Sequence, residues 1–120
     1  MKHLITFLIL SSIQTVSADV PPEQKPEVVH LLEYVRQSEC VMIRNGSEHG
    51  GEKAVEHIQD KYEYFEDDIT TTEEFIKYSA TKSTMSGKYY TIRCPGKEEI
   101  RTQDWLLEEL RVYRQKDMKN

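Results

Sequence analysis

The sequence predicts an α+β domain, mostly helical, with about four helices, a two-stranded antiparallel ladder and one disulfide. Three observations lead there. Apolar residues recur at helical spacing in several separate stretches. Two short stretches rich in β-branched or apolar residues stop at Asn45-Gly46 and Pro95-Gly96, which are turn signals. Each of those stretches carries one of the two cysteines, Cys40 and Cys94.

The N-terminus is set aside first. Lys2 and His3 precede the largely apolar Leu4 to Val16, and Val16-Ser17-Ala18 has small residues at its end, the pattern of a secretory signal cleaved after Ala18. Its apolar stretch of 13 residues falls short of the roughly 20 that span a bilayer. No other stretch is apolar enough to span one, so the expected mature chain is soluble, exported and free of a membrane span. Its 102 residues, Asp19 to Asn120, suit one domain.

The expected organisation is a signal peptide over 1–18, a proline-rich leader over 19–26, one α+β domain over 27–116 and a polar tail over 117–120. The leader offers little to pack. Over Glu27 to Ser38, Val28, Leu31, Leu32 and Val35 share one helical face. Cys40 to Arg44 reads as a strand. In Glu52 to Phe65, Ala54, Val55, Ile58, Tyr62 and Phe65 fall within about 100° of arc, which makes a second amphipathic helix. Thr70 and Thr71 each stand three residues before a glutamate, so a capping box starts the third helix near Thr71 or Thr72 and turns Phe75, Ile76 and Ala80 inward. Ser83 to Gly87 is a small-residue loop, and Lys88 to Cys94 is the second strand. The fourth helix begins after Thr102, buries Trp105, Leu106, Leu110 and Tyr113, and frays from Gln115.

Two cysteines in an exported chain read as one disulfide, closing a loop of about 55 residues worth roughly 4 kcal/mol in the chain-entropy model. The competing reading, a metal pair, lacks a CxxC, and His30, His49 and His57 have no zinc-like spacing to either cysteine. Bridged cysteines set the register of the two strands. Met42 then faces Ile92 and Arg44 faces Tyr90 on one side of the ladder, which suits a cation–π contact or a ligand anchor.

Losing Lys2 takes the net charge from −5 to −6. An acidic chain without a basic patch argues against nucleic acid or an anionic membrane as partner. Within helix two, Lys61 sits about 60° from the centre of the apolar stripe, with His57 one turn before it on the same edge. A lysine there either snorkels to water or serves a site.

Together, Arg44-Asn45-Gly46, then Ala54, His57 and Lys61, Thr72-Glu73-Glu74-Phe75-Ile76, Ser83-x-x-Ser86-Gly87, Tyr90 and Trp105-Leu106 resemble the YfeK-like family of small exported bacterial proteins, over about residues 38 to 110. The resemblance implies a periplasmic address, a signal peptide and no established activity. The form resembled has a cysteine shortly before Arg-Asn-Gly and another after the second strand, which supports the Cys40–Cys94 pairing.

Its polar positions fall here on Arg44, Asn45, His57, Lys61, Ser83, Ser86 and Tyr90. The expected site is a small polar cleft at the Arg44 end of the ladder. Arg44 and Lys61 attract an anionic group, and Asn45, Ser83 and Ser86 add neutral hydrogen bonds. The competing reading gives Asn45-Gly46 to turn geometry and both serines to local capping. The expected function is non-enzymatic binding of a small anionic or peptide-like ligand or a periplasmic protein, with no cofactor and no metal. The alternatives are an interaction protein without a cleft and a small hydrolase with Ser83 or Ser86 as nucleophile and His57 as base, although no Gly-x-Ser-x-Gly elbow is present. Ser79-Ala80-Thr81-Lys82 fits a Ser-x-x-Lys pattern but lacks its partner motif. The acidic run Glu63 to Asp68 lacks a calcium-loop pattern and reads as a solvated helix end. Asn45-Gly46-Ser47 fits a glycosylation acceptor, relevant only in a eukaryote.

Overall fold

The chain begins to pack earlier than its proline content suggests. In the computed structural model, which describes residues 19–119, Val20 is buried and Pro22–Gln24 forms a 3-10 turn. The side-chain oxygen of Gln24 accepts the Thr72 N–H at 2.9 Å, and the Asp19 carboxylate takes Lys25 and the Tyr62 hydroxyl. The segment expected to be a loose leader is therefore part of the fold. One buried valine has no periodicity by which a sequence could announce it. The expected signal peptide, 1–18, lies outside the described residues, as does Asn120.

Helix α1 spans Lys25–Gln37 and starts two residues before Glu27, because Pro26 stands in the first turn, where its missing N–H is not needed. It buries Val28, Leu31 and Val35, three of the four residues of the apolar stripe. Helix α2, Gly51–Phe65, buries Ala54, Val55 and Ile58. Helix α3, Thr72–Ser79, is capped by Thr71, whose hydroxyl accepts the Glu74 N–H at 3.1 Å, while Glu74 reaches back to the Thr70 N–H. Its Phe75 and Ile76, with Ala80 just beyond, enter the core. Helix α4, Thr102–Met118, continues past the expected fray at Gln115. Glu27 receives a two-pronged Arg114 contact (2.7 and 3.0 Å) and the Thr72 hydroxyl (2.7 Å), fastening α1 to α4 and α3.

The sheet has four strands, not two. Its antiparallel order is β2-β1-β3-β4, with β1 Val41–Arg44, β2 Ser47–His49, β3 Thr91–Arg93 and β4 Ile100–Arg101. The central pair carries the register that the cysteines imply, with Met42 facing Ile92, and the Cys40–Cys94 disulfide closes one end. Asn45 (φ 49°) and Gly46 (φ 80°) form the two-residue turn of a hairpin in which Arg44 pairs with Ser47. β2 escapes notice in the sequence because Ser-Glu-His has no apolar alternation, and β4 because it is two residues long.

The inner face of the sheet presents Met42, Tyr90 and Ile92 to the helices, and α1 packs against α2, α3 and α4. Among the described residues, no helix is long and apolar enough to cross a membrane.

Candidate functional site

At the end of the ladder away from the disulfide, the β1–β2 hairpin, helix α2 and the loop before β3 enclose a cleft of about 320 Å³. Arg44 enters it from the last residue of β1, Asn45 from the turn, His57 and Lys61 from successive turns of α2, and Ser83 and Tyr90 from the segment leading to β3. Six of the seven expected site residues thus line one opening. Ser86 does not line it and instead fixes its rim.

That rim is a hydrogen-bonded knot. The Ser86 hydroxyl donates to Asn45 Oδ1 at 2.6 Å, Asn45 Nδ2 donates to Ser83 Oγ at 3.3 Å, and the Ser86 N–H donates to the same oxygen at 3.2 Å. Backbone bonds from Ser83 to Lys88 (2.9 Å) and from Gly87 to Ser83 (2.9 Å) close the loop. Turn formation and serine capping, set against a cleft in the sequence reading, are therefore how the rim of this cleft is built.

Inside, the order of contacts is fixed by donor chemistry. Arg44 Nη1 lies 2.5 Å from His57 Nδ1, and since a guanidinium only donates, Nδ1 accepts and the ring proton resides on Nε2. Nε2 then donates to Tyr90 Oη at 3.1 Å. Lys61 Nζ donates to the same oxygen at 3.2 Å and to the Lys82 carbonyl at 2.6 Å. The cation over the Tyr90 ring is Lys61, 5.0 Å from its centroid, rather than Arg44 as strand pairing suggested. Arg44 turns to the imidazole because His57 offers a lone pair and the ring face does not.

Burial, then the charges of Arg44, Lys61 and His49, push His57 down to about 4, against a weaker opposing pull from Asp60. Burial and Arg44 also lower Lys61, and burial raises Tyr90. Among the described residues, no carboxylate lies within ion-pair distance of Arg44 or Lys61. Tyr90, 2% exposed, has both lone pairs engaged by His57 and Lys61, and Ser83, 6% exposed, has both engaged by Asn45 and Ser86. Each hydroxyl proton is left to donate, and neither has an acceptor among the described residues. Apart from the Asp60 carboxylate in its lining, the cleft is a surplus of donors.

Residues 22–114 match the model of a family of unknown function (DUF5329). The chain belongs to that family. The matched span takes in both cysteines and every residue lining the cleft. No curated protein and no solved structure matches the chain.

The family's description carries no activity, so chemistry rests on the geometry. Both nitrogens of His57 are occupied by Arg44 and Tyr90, and neither serine bonds to it. The base–nucleophile contact of the hydrolase alternative is absent among the described residues. Nor does Ser79-x-x-Lys82 hold its helical spacing: α3 ends at Ser79, which is buried, while Lys82 is exposed. Among the described residues, no group of three or more His, Cys, Asp or Glu is placed to hold a metal.

Sequence reasoning missed Asp60, Tyr64, Thr84 and Met85 in the lining, and assigned Phe65 to the core alone. Two of these carried a signal. Tyr64 lies off the apolar stripe of α2, and Met85 is a large apolar residue in a loop of small polar ones.

Proposed function

We propose that this domain is an exported, non-enzymatic binding or accessory module of the periplasm, released by cleavage after Ala18, that holds a small anionic or peptide-like ligand at the Arg44 end of its ladder. Membership of the YfeK-like group of exported bacterial proteins belongs to the same reading and rests on the motif order from Arg44-Asn45-Gly46 to Ser83-x-x-Ser86-Gly87.

One observation carries the binding reading. In a chain with a net charge of −5, Arg44 and Lys61 have no carboxylate within ion-pair distance among the described residues, at a cleft whose two buried hydroxyls have protons to give. An acidic protein has many carboxylates with which to neutralise two cations. Cations that converge on neutral acceptors alone are how proteins await an anion.

The test is to purify the protein from periplasmic extract and compare the small anions that co-elute with it and with Lys61→Met, which keeps the packed stem and removes the charge. An anion retained by the wild type and lost from the variant, at similar thermal stability, supports the reading. Identical profiles overturn it. N-terminal sequencing of the exported form tests the address, with Asp19 expected as first residue.

A further inference from the structure

The cleft lining is of two chemical kinds. Arg44, Lys61, Ser83 and Tyr90 form the donor cluster, whereas Tyr64, Phe65 and Met85 give the same cleft an apolar wall. There the Phe65 ring meets Tyr64 edge-on at 4.8 Å and Tyr78 at 5.6 Å, and Lys61 Nζ lies over Phe65 at 5.9 Å, joining the two.

Tyr64 is 81% exposed and Met85 98% exposed at this mouth. A single apolar side chain in water needs no explanation, but two flanking the opening of one cleft make a patch. Core packing does not account for either. Tyr64 points away from the stripe of α2 that enters the core, and Met85 is carried by a loop whose backbone is pinned on both sides of it. Methionine is also the apolar side chain that best adapts to varied shapes.

We infer that the ligand of this cleft is an amphipathic carboxylate: a small acid whose carboxylate lies against Arg44, Lys61 and Tyr90 and whose aryl or short acyl body lies across Phe65, Tyr64 and Met85. The inference deepens the binding reading above and rests on it. A carboxylate suits the donor cluster because the guanidinium fork matches two coplanar oxygens. Asp60, also in the lining, opposes any anion and opposes a dianion such as phosphate more than a monocarboxylate. A volume of 320 Å³ lies at the small end of ligand sites, about 300–1,000 Å³, which fits one ring or a short chain rather than a long lipid.

The experiment is amide NMR titration of the protein with 3-phenylpropanoate, acetate, 3-phenylpropan-1-ol and inorganic phosphate. The expected result is that 3-phenylpropanoate binds about tenfold tighter than acetate or more, from burial of its ring. It shifts Arg44, Lys61 and Tyr90 together with Tyr64, Phe65 and Met85. In Tyr64→Ser/Met85→Ser, two exposed positions whose change leaves the core intact, that gain disappears while acetate binding is unchanged. Acetate or phosphate binding as tightly as 3-phenylpropanoate overturns the amphipathic ligand and leaves the anion site standing. The alcohol binding as tightly as the acid overturns the carboxylate. If none of the four probes moves the Arg44–Lys61–Tyr90 cluster, the carboxylate inference fails, and retention of a different anion in the co-elution test separates that failure from failure of the binding reading.

Discussion

His57 Nδ1 lies 2.5 Å from Arg44 Nη1, so this imidazole is held neutral against a guanidinium. Its folded value is about 4, below the 6.5 of a free histidine. Between those values the unfolded chain binds a proton that the folded chain refuses. Stability therefore falls as pH drops from about 6.5 towards 4, and the contribution is fully present above 6.5. Because the ring is only half-buried, solvent screening holds the effect to about 1–2 kcal/mol. The carboxylates with lowered values, Asp19, Glu27, Glu74 and Glu108, lose their contributions at lower pH, which leaves pH 5 to 6.5 to His57. Urea midpoints across that window are expected to slope in the wild type and flatten in His57→Gln.

Arg44→Gln separates the causes of that shift. Removing the guanidinium takes away the second-largest cause and leaves burial, the largest. The His57 titration, followed by its ring proton resonances, is expected to move up from about 4 but to stop short of the free value.

Gly51 opens α2 against the C-terminal end of α1. A Cβ there would lie 2.5 Å from the Arg36 carbonyl oxygen and 2.7 Å from that of Val35, both backbone atoms that cannot swing aside. Gly51→Ala is expected to cost about 1–3 kcal/mol, read as a lowered denaturant midpoint. Gly50→Ala, with open space around its Cβ, is the control and is expected to change far less.

The Cys40–Cys94 bond closes a separation of 54 residues, and removing it as Cys40→Ala/Cys94→Ala is expected to cost about 2–4 kcal/mol by chemical denaturation. Because the disulfide and the cleft lie at opposite ends of the ladder, the amide shifts of Arg44 and Lys61 are expected to remain near their wild-type positions.

Much of this fold was legible from periodicity. The stripes Val28–Leu31–Val35 and Ala54–Val55–Ile58 place α1 and α2, and a threonine–glutamate pair places the start of α3. The two cysteines gave the register of the central strands, including Met42 against Ile92. The outer strands were not legible, because their pairing is decided by backbone bonds from residues such as Ser47 and Glu48 that show no burial pattern. In the site, Lys61 and His57 stood out as polar residues on an apolar edge. Their partners did not, since the choice of Arg44 for His57 rather than Tyr90 depends on which side chain has a lone pair within reach. Met85 stood out only by its size in a loop of small polar residues, and a loop has no periodicity to say which way it points.

The knot of Asn45, Ser83 and Ser86 has a thermodynamic consequence. It ties the hairpin tip to the opposite loop at one end of the central ladder, and the disulfide ties the other end, so the walls between them are clamped before anything binds. An acid of the kind proposed would have little backbone to order, and the entropic cost of its association would reduce mainly to its own lost motion and that of Tyr64 and Met85. In such a preorganised cleft, weak contacts would suffice to hold the proposed acid, and discrimination would fall to the two exposed side chains at its mouth.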